Sequence, residues 1–125
     1  MIRIAVCDDQ REICEQIADI IDSDGEIEAG VDIYTDSASL LASRAQYDIL
    51  FLDIDMPGKN GIEAAKEIRR TDKRVKIIYV TNYGGYAGYA FGVHAFGYLL
   101  KPVKREAICR QLKEACQYFE EEKKT

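Results

Sequence analysis

Short apolar runs alternate along the chain with longer segments in which apolar residues return every third or fourth position. The first run, Ile2–Cys7, begins with β-branched alternation and turns mostly apolar, which predicts a strand buried on both faces. Ile13, Ile17, Ile20 and Ile21 then recur at helical spacing and predict an amphipathic helix from Gln10 to about Asp22. Gly25 and Gly30 punctuate the chain before Val31–Thr35, which alternates and predicts a short strand. Ser37 is placed to cap the next helix, which carries Leu40 and Leu41 and ends before Tyr47.

Ile49–Leu52 is wholly apolar and predicts a third strand that stops at Asp53. Met56-Pro57-Gly58 and Asn60-Gly61 are turn signals, followed by a helix over Ile62–Thr71 with Ile62, Ala65 and Ile68 inward. Val75–Val80 predicts the fourth strand, ending at Thr81, and Ala95–Leu100 the fifth, ending at Lys101-Pro102. A last helix from about Lys104 turns Ile108, Leu112, Ala115 and Phe119 inward and dissolves into the charged tail Glu-Glu-Glu-Lys-Lys-Thr. Strand and helix thus alternate five times, which implies a parallel sheet covered by helices on both faces and wound by right-handed crossovers. In such sheets ligands bind beyond the carboxyl ends of the strands, where the strand order reverses.

Composition narrows the function. A chain of 125 residues, 47% hydrophobic and 31% charged, is an ordinary single domain that needs no metal or disulfide to fold. Seventeen basic and twenty-two acidic side chains leave a formal charge of −5, which argues against binding of nucleic acid or an anionic membrane by this segment. No apolar run approaches a bilayer span, and the N-terminus lacks the layout of a signal peptide, so a cytoplasmic protein is expected. Cys7, Cys14, Cys109 and Cys116 form no Cys-x-x-Cys pair and read as small apolar thiols in a reducing compartment.

The strand ends carry the chemistry: Asp8 and Asp9 after the first, Asp53 after the third, Thr81 after the fourth, Lys101 after the fifth. The fold would gather three carboxylates, a hydroxyl and an ammonium in one crevice. Carboxylates that close repel, raising pKa values unless a cation joins them. Mg²⁺ fits, since it takes a couple of carboxylates and keeps waters and room for a phosphoryl oxygen. Each residue also has a bland role. Asp9 with Glu12 has capping-box spacing, Asp53 could simply end a strand, Thr81 could cap a helix and Lys101 could be solvated. All five on the same functional edge are hard to assign to capping.

In this arrangement the chain resembles the response-regulator receiver domains of two-component signalling over nearly its whole length. The resemblance rests on Asp8-Asp9, Asp53-Ile-Asp-Met-Pro-Gly-Lys-Asn-Gly61, Val80-Thr81 and Tyr98-Leu-Leu-Lys101-Pro102. It implies a flavodoxin-like, CheY-like (βα)5 fold, with Asp53 accepting a phosphoryl group from a histidine of a sensor kinase. It further implies Mg²⁺ held by Asp8, Asp9, Asp53 and the backbone carbonyl of Asp55, with Thr81 and Lys101 on the phosphoryl oxygens. The Lys101-Pro102 bond is expected to be cis. Such a domain is a phosphoacceptor rather than an enzyme with a turned-over substrate. Phosphoryl transfer needs an in-line nucleophile and compensation of charge on the equatorial oxygens, and these residues supply both.

Tyr98 stands where the family carries its switch aromatic, expected to swing as Thr81 moves toward the phosphoryl group; otherwise it merely packs at a strand edge. The connector Asn82–Gly92 holds four glycines, so any helix there is weak and shifts easily. Tyr83, Tyr86 and Tyr89 recur on one face of it, a partner surface if exposed and core if buried. The string Tyr86–Phe91 running into Ala95–Pro102 resembles the receivers of LytTR-type transcription regulators, in which a separate C-terminal domain binds DNA. That places the receiver at 1–120, with 121–125 beginning a linker to such an output domain, and allows a homodimer through the fourth-to-fifth-helix face. Asn82 and Gly97 depart from the family pattern, where a small residue and Asp are usual, and His94 reads as a surface residue at a strand end. An enzymatic alternative is a Mg²⁺-dependent phosphatase of haloacid-dehalogenase type built on Asp53-x-Asp55, but its acidic metal pair comes late in the chain rather than first. A flavin module of the same fold is disfavoured because Asp8-Asp9 would repel the flavin phosphate.

Overall fold

Five parallel strands form one sheet in the order β2-β1-β3-β4-β5, where β1 is Ile2–Cys7, β2 Ala29–Tyr34, β3 Ile49–Leu52, β4 Lys76–Thr81 and β5 Gly97–Leu100. The computed structural model describes residues 1–124, with side chains to residue 122. Helices α1 (Arg11–Ser23), α2 (Ser37–Ala42), α3 (Gly61–Thr71), α4 (Ala87–Gly92) and α5 (Arg105–Lys124) link or follow the strands. The fold is therefore the doubly wound sandwich that the alternation predicts, with the flavodoxin-like strand order that the resemblance implies.

Period-two alternation along the central strands divides the core. Ala5, Cys7, Leu50, Leu52, Ile77 and Tyr79 face a layer with Leu40 of α2, Ile62 and Ala65 of α3 and Val93 beyond α4. Ile4, Val6, Ile49, Phe51, Ile78 and Val80 face Cys14, Ile17 and Ile21 of α1 and Ile108, Leu112 and Ala115 of α5. Strands covered on both faces have no polar side to alternate, which is why β1 and β3 read as apolar runs. The order reverses between β1 and β3, placing the crevice at the carboxyl ends of those two strands.

Several local expectations change. Asp36, not Ser37, caps α2: its carboxylate accepts the Ser39 N–H at 2.7 Å, while the buried Ser37 donates its hydroxyl to the Lys59 carbonyl at 2.6 Å. Gln10 occupies the cap position of α1 with no side-chain cap, so the Asp9–Glu12 capping box does not form. The capping box belongs instead to Asn60 and Glu63 at the start of α3. β5 begins at Gly97 because the Ala95 N–H bonds the Ala90 carbonyl and the chain turns through His94 at φ 52°. The exposed His94 thus lies in the α4–β5 turn.

α5 does not dissolve at its acidic tail but runs through Lys124. Glu122 ties it to the sheet by ion pairs with Lys76 at 3.2 Å and Arg74 at 3.5 Å. The tyrosine stripe splits: Tyr83 and Tyr89 are more than half exposed, whereas Tyr86 packs against the core. All four cysteines are free; Cys7 and Cys14 are buried, and burial pushes their thiols up to about 12 and about 11, so both are inert at neutral pH. No helix is long and apolar enough to cross a membrane among the described residues.

Candidate functional site

Asp8 and Asp53 follow β1 and β3 side by side: the Asp53 N–H bonds the Cys7 carbonyl at 2.9 Å, and the Asp8 N–H bonds the Tyr34 carbonyl at 3.1 Å. Both side chains are almost fully buried, at 2% and 4% exposure, while Asp9 is exposed. Asp8, Asp9 and Asp53 each offer a carboxylate oxygen within 4.8 Å of the others. The Gln10 N–H holds one Asp8 oxygen at 2.9 Å, so the backbone entering α1 orients that carboxylate.

Lys101 arrives from the end of β5. Its Nζ lies 2.9 Å from Asp8 Oδ2 and 3.5 Å from Asp53 Oδ2, with the side chain only 7% exposed. Thr81, fully buried, ends β4 beside it, and its carbonyl accepts the Lys101 N–H at 2.8 Å. The Lys101-Pro102 bond is cis, as expected. Asp55 lies in the β3–α3 loop with its side chain exposed.

The charges are unbalanced. Burial first, and the neighbouring Asp8 second, push the Asp53 carboxyl up to about 6, against the lowering effect of Lys101. Burial alone would lower the Lys101 ammonium, but hydrogen bonding to Asp8 and the charges of Asp53 and Asp8 outweigh it and raise it. One ammonium among three carboxylates leaves net negative charge, and the oxygen donors are of the type that a hard divalent cation such as Mg²⁺ takes.

The loop after Asp53 is shaped by two glycines. Gly58 sits at φ 76°, and a Cβ on Gly61 would lie 2.0 Å from the Asp53 carbonyl oxygen. Gly61 therefore allows α3 to start directly against the backbone of Asp53, and its N–H bonds the Ile54 carbonyl at 2.9 Å.

The chain matches the response regulator receiver domain model over residues 4–113. The chain belongs to the response-regulator receiver family. Among its relatives is the sensory transduction protein LytT of Oceanobacillus iheyensis, 38% identical over 84% of this chain and 44% of that protein. LytT of Bacillus subtilis is 32% identical over 90% of this chain and 47% of that protein, so the receiver spans less than half the length of either relative. Likeness to the receivers of LytT-type regulators is thereby shown. The response regulator TrrA of Thermotoga maritima, solved with Mg²⁺ and beryllofluoride, is 30% identical over 92% of this chain and 99% of that one, with a TM-score of 0.81. A CheY-like receiver from Methanospirillum hungatei shares the fold with a TM-score of 0.88 at 24% identity, each chain being covered to 98%.

Two residues that depart from the family pattern have structural settings. Asn82 is exposed at the rim of the receiver's site. Gly97 leaves room for Gln111 of α5, whose amide oxygen would lie 2.4 Å from a Cβ there. Tyr98 is half-buried, its ring 6.0 Å from that of Tyr79, and its hydroxyl donates to the Tyr83 carbonyl. That carbonyl partner was not legible from residue types, because a backbone acceptor leaves no mark in the sequence. The same holds for the Gln10 N–H on Asp8.

Proposed function

We propose that this receiver takes a phosphoryl group on Asp53 from a phosphohistidine of a sensor kinase and passes the signal to a LytTR-type DNA-binding domain. The observation that carries the reading is the buried Asp8–Asp53–Lys101 cluster with Asp9 at its open side. A Mg²⁺ held by Asp8, Asp9, Asp53 and the Asp55 carbonyl would neutralise the carboxylates and the incoming phosphoryl oxygens. Asp53 attacks phosphorus in line as a carboxylate, the bond to the donor imidazole breaks, and an acyl phosphate forms. Lys101 then shifts its ammonium from Asp8 toward the phosphoryl oxygens, and the Thr81 hydroxyl donates to one of them.

Tyr98 and Thr81 form the switch. The Thr81 hydroxyl accepts the Tyr83 N–H at 3.4 Å, and Tyr98 donates to the Tyr83 carbonyl, so both switch residues hold the start of the weak α4 segment. Drawing Thr81 toward phosphate releases one of these ties and lets Tyr98 turn inward. A shift from 1:99 to 99:1 in such an equilibrium requires about 5.5 kcal/mol of differential binding.

The output reading follows from the LytT relatives, which are more than twice as long as the matched region; the end of α5 then leads from the receiver toward the output domain. Exposed Tyr89 and Phe91 on α4, with Tyr118 on α5, supply the apolar part of a homodimer face. The setting is cytoplasmic, where kinase and promoter DNA meet.

Incubation with acetyl phosphate and Mg²⁺, followed by intact-mass measurement, tests the reading. One phosphoryl group per chain, absent with EDTA and absent in Asp53→Ala, is expected. Sustained turnover of small phosphate esters in place of a single uptake contradicts it and favours a phosphatase.

A further inference from the structure

On the rim of the sheet opposite Asp53, a cleft of about 520 Å³ opens between α2, α3 and the segments leading into β3 and β4. That volume lies in the range of small-molecule sites. Leu40, Tyr47, Leu50 and Val75, each at most 9% exposed, belong to its lining. The Tyr47 hydroxyl donates to Asp32 at 2.7 Å, so this residue brings an aromatic ring rather than a free polar group.

The cleft's charged residues divide by sign. Its two acids are already engaged: Glu67 pairs with Lys59, and Asp72 Oδ1 accepts the N–H groups of Arg74 at 2.8 Å and Val75 at 3.0 Å. Its two arginines, Arg44 and Arg70, are exposed and form no close ion pair among the described residues, although the charge of Arg70 also reaches Glu67. An apolar lining flanked by two guanidinium groups without close ion pairs, and by carboxylates already bonded, is complementary to an apolar body ending in a single carboxylate.

We propose that this cleft binds an apolar monocarboxylate, the carboxylate held by Arg44 and Arg70 and the hydrocarbon lying along Leu40, Leu50 and Val75. The site is separate from the phosphoacceptor cluster and shares no residue with it. Guanidinium supplies paired donors for the two carboxylate oxygens, and the lining removes methylenes from water.

Calorimetric titration of the chain with decanoate, octanoate, hexanoate and decan-1-ol tests this. Decanoate is expected to bind one per chain, each methylene removed weakening binding about fourfold. Decan-1-ol is expected to bind at least about tenfold more weakly than decanoate for want of the charge-assisted bonds. The Arg44→Gln, Arg70→Gln double variant should lose that tenfold preference while keeping the parent's circular dichroism and its uptake of phosphoryl from acetyl phosphate. In amide spectra decanoate should move Leu40, Leu50 and Val75 and leave Asp8 and Asp53 in place. No binding of decanoate, equal binding of acid and alcohol, or an unchanged double variant overturns the proposal.

Discussion

Lys101 is the closer partner of Asp8, at 2.9 Å, and only the more distant partner of Asp53, at 3.5 Å. In the proposed function this ammonium would compete with Mg²⁺ for the Asp8 carboxylate as well as stand ready for a phosphoryl oxygen on Asp53. Replacing it should separate these roles. Lys101→Met is expected to lower metal-free stability by on the order of 3 kcal/mol, because buried carboxylates lose their counter-charge. The same variant should bind Mg²⁺ more tightly than the parent, since no side-chain cation contests the site. Urea unfolding and Mg²⁺ titration check the two halves; unchanged Mg²⁺ affinity contradicts the competition.

The raised Asp53 carboxyl gives a pH dependence whose sign is unusual for a carboxylate. Its folded pKa, about 6, lies above its ordinary 3.8, so the native state holds this proton more tightly than the unfolded chain does. Its contribution to metal-free stability is full below the ordinary value and is lost as pH rises through about 6. Mg²⁺ affinity runs the other way, falling below about pH 6 because binding must displace the proton. Mg²⁺ titrations across this range should show the decline in the parent and a much flatter profile in Asp53→Asn. A parent profile as flat as that of the variant contradicts the assignment.

Gly61 is the tightest backbone constraint beside the site, with any Cβ only 2.0 Å from the Asp53 carbonyl oxygen. Gly61→Ala is expected to cost about 1–3 kcal/mol through this overpacking and to weaken Mg²⁺ binding by displacing Asp53. Gly25→Ala, where a Cβ meets nothing within 4 Å, is the control and should leave Mg²⁺ binding unchanged. Urea unfolding with Mg²⁺ titration of both variants decides it.

Tyr98→Phe removes the hydroxyl that holds the Tyr83 carbonyl. The expected loss is about 1 kcal/mol, with faster amide exchange over Gly84–Gly92 and little change in the central strands. Uniform acceleration across the sheet would mean that the hydroxyl stabilises the whole fold rather than this segment.

The fold and the cluster were legible because each central strand is an apolar run that stops at a residue of the candidate site. Asp8, Asp53, Thr81 and Lys101 follow or close such runs, and parallel winding brings their ends together. What local pattern misread depends on partners distant in sequence. Asp9 and Glu12 have the spacing of a capping box, but Gln10 takes the cap and Asp9 is left at the cluster's open side. Ala95 looks like strand, yet its N–H goes to Ala90 of α4, and only from Phe96, whose N–H reaches Ile77 of β4, does the chain turn into the pairing that begins at Gly97. The acidic tail resembles a frayed end, but Glu122 anchors it to Arg74 and Lys76 across the sheet edge.

Asp53 is proposed here as the phosphoryl acceptor of a Mg²⁺-dependent cluster. Labelling with acetyl phosphate and Mg²⁺, reducing the acyl phosphate with borohydride and locating the reduced residue by peptide mass spectrometry addresses it most directly. One reduced site is expected, at Asp53, and it should disappear when Mg²⁺ is withheld. A label at another residue, or equal labelling of Asp53→Ala, would contradict it.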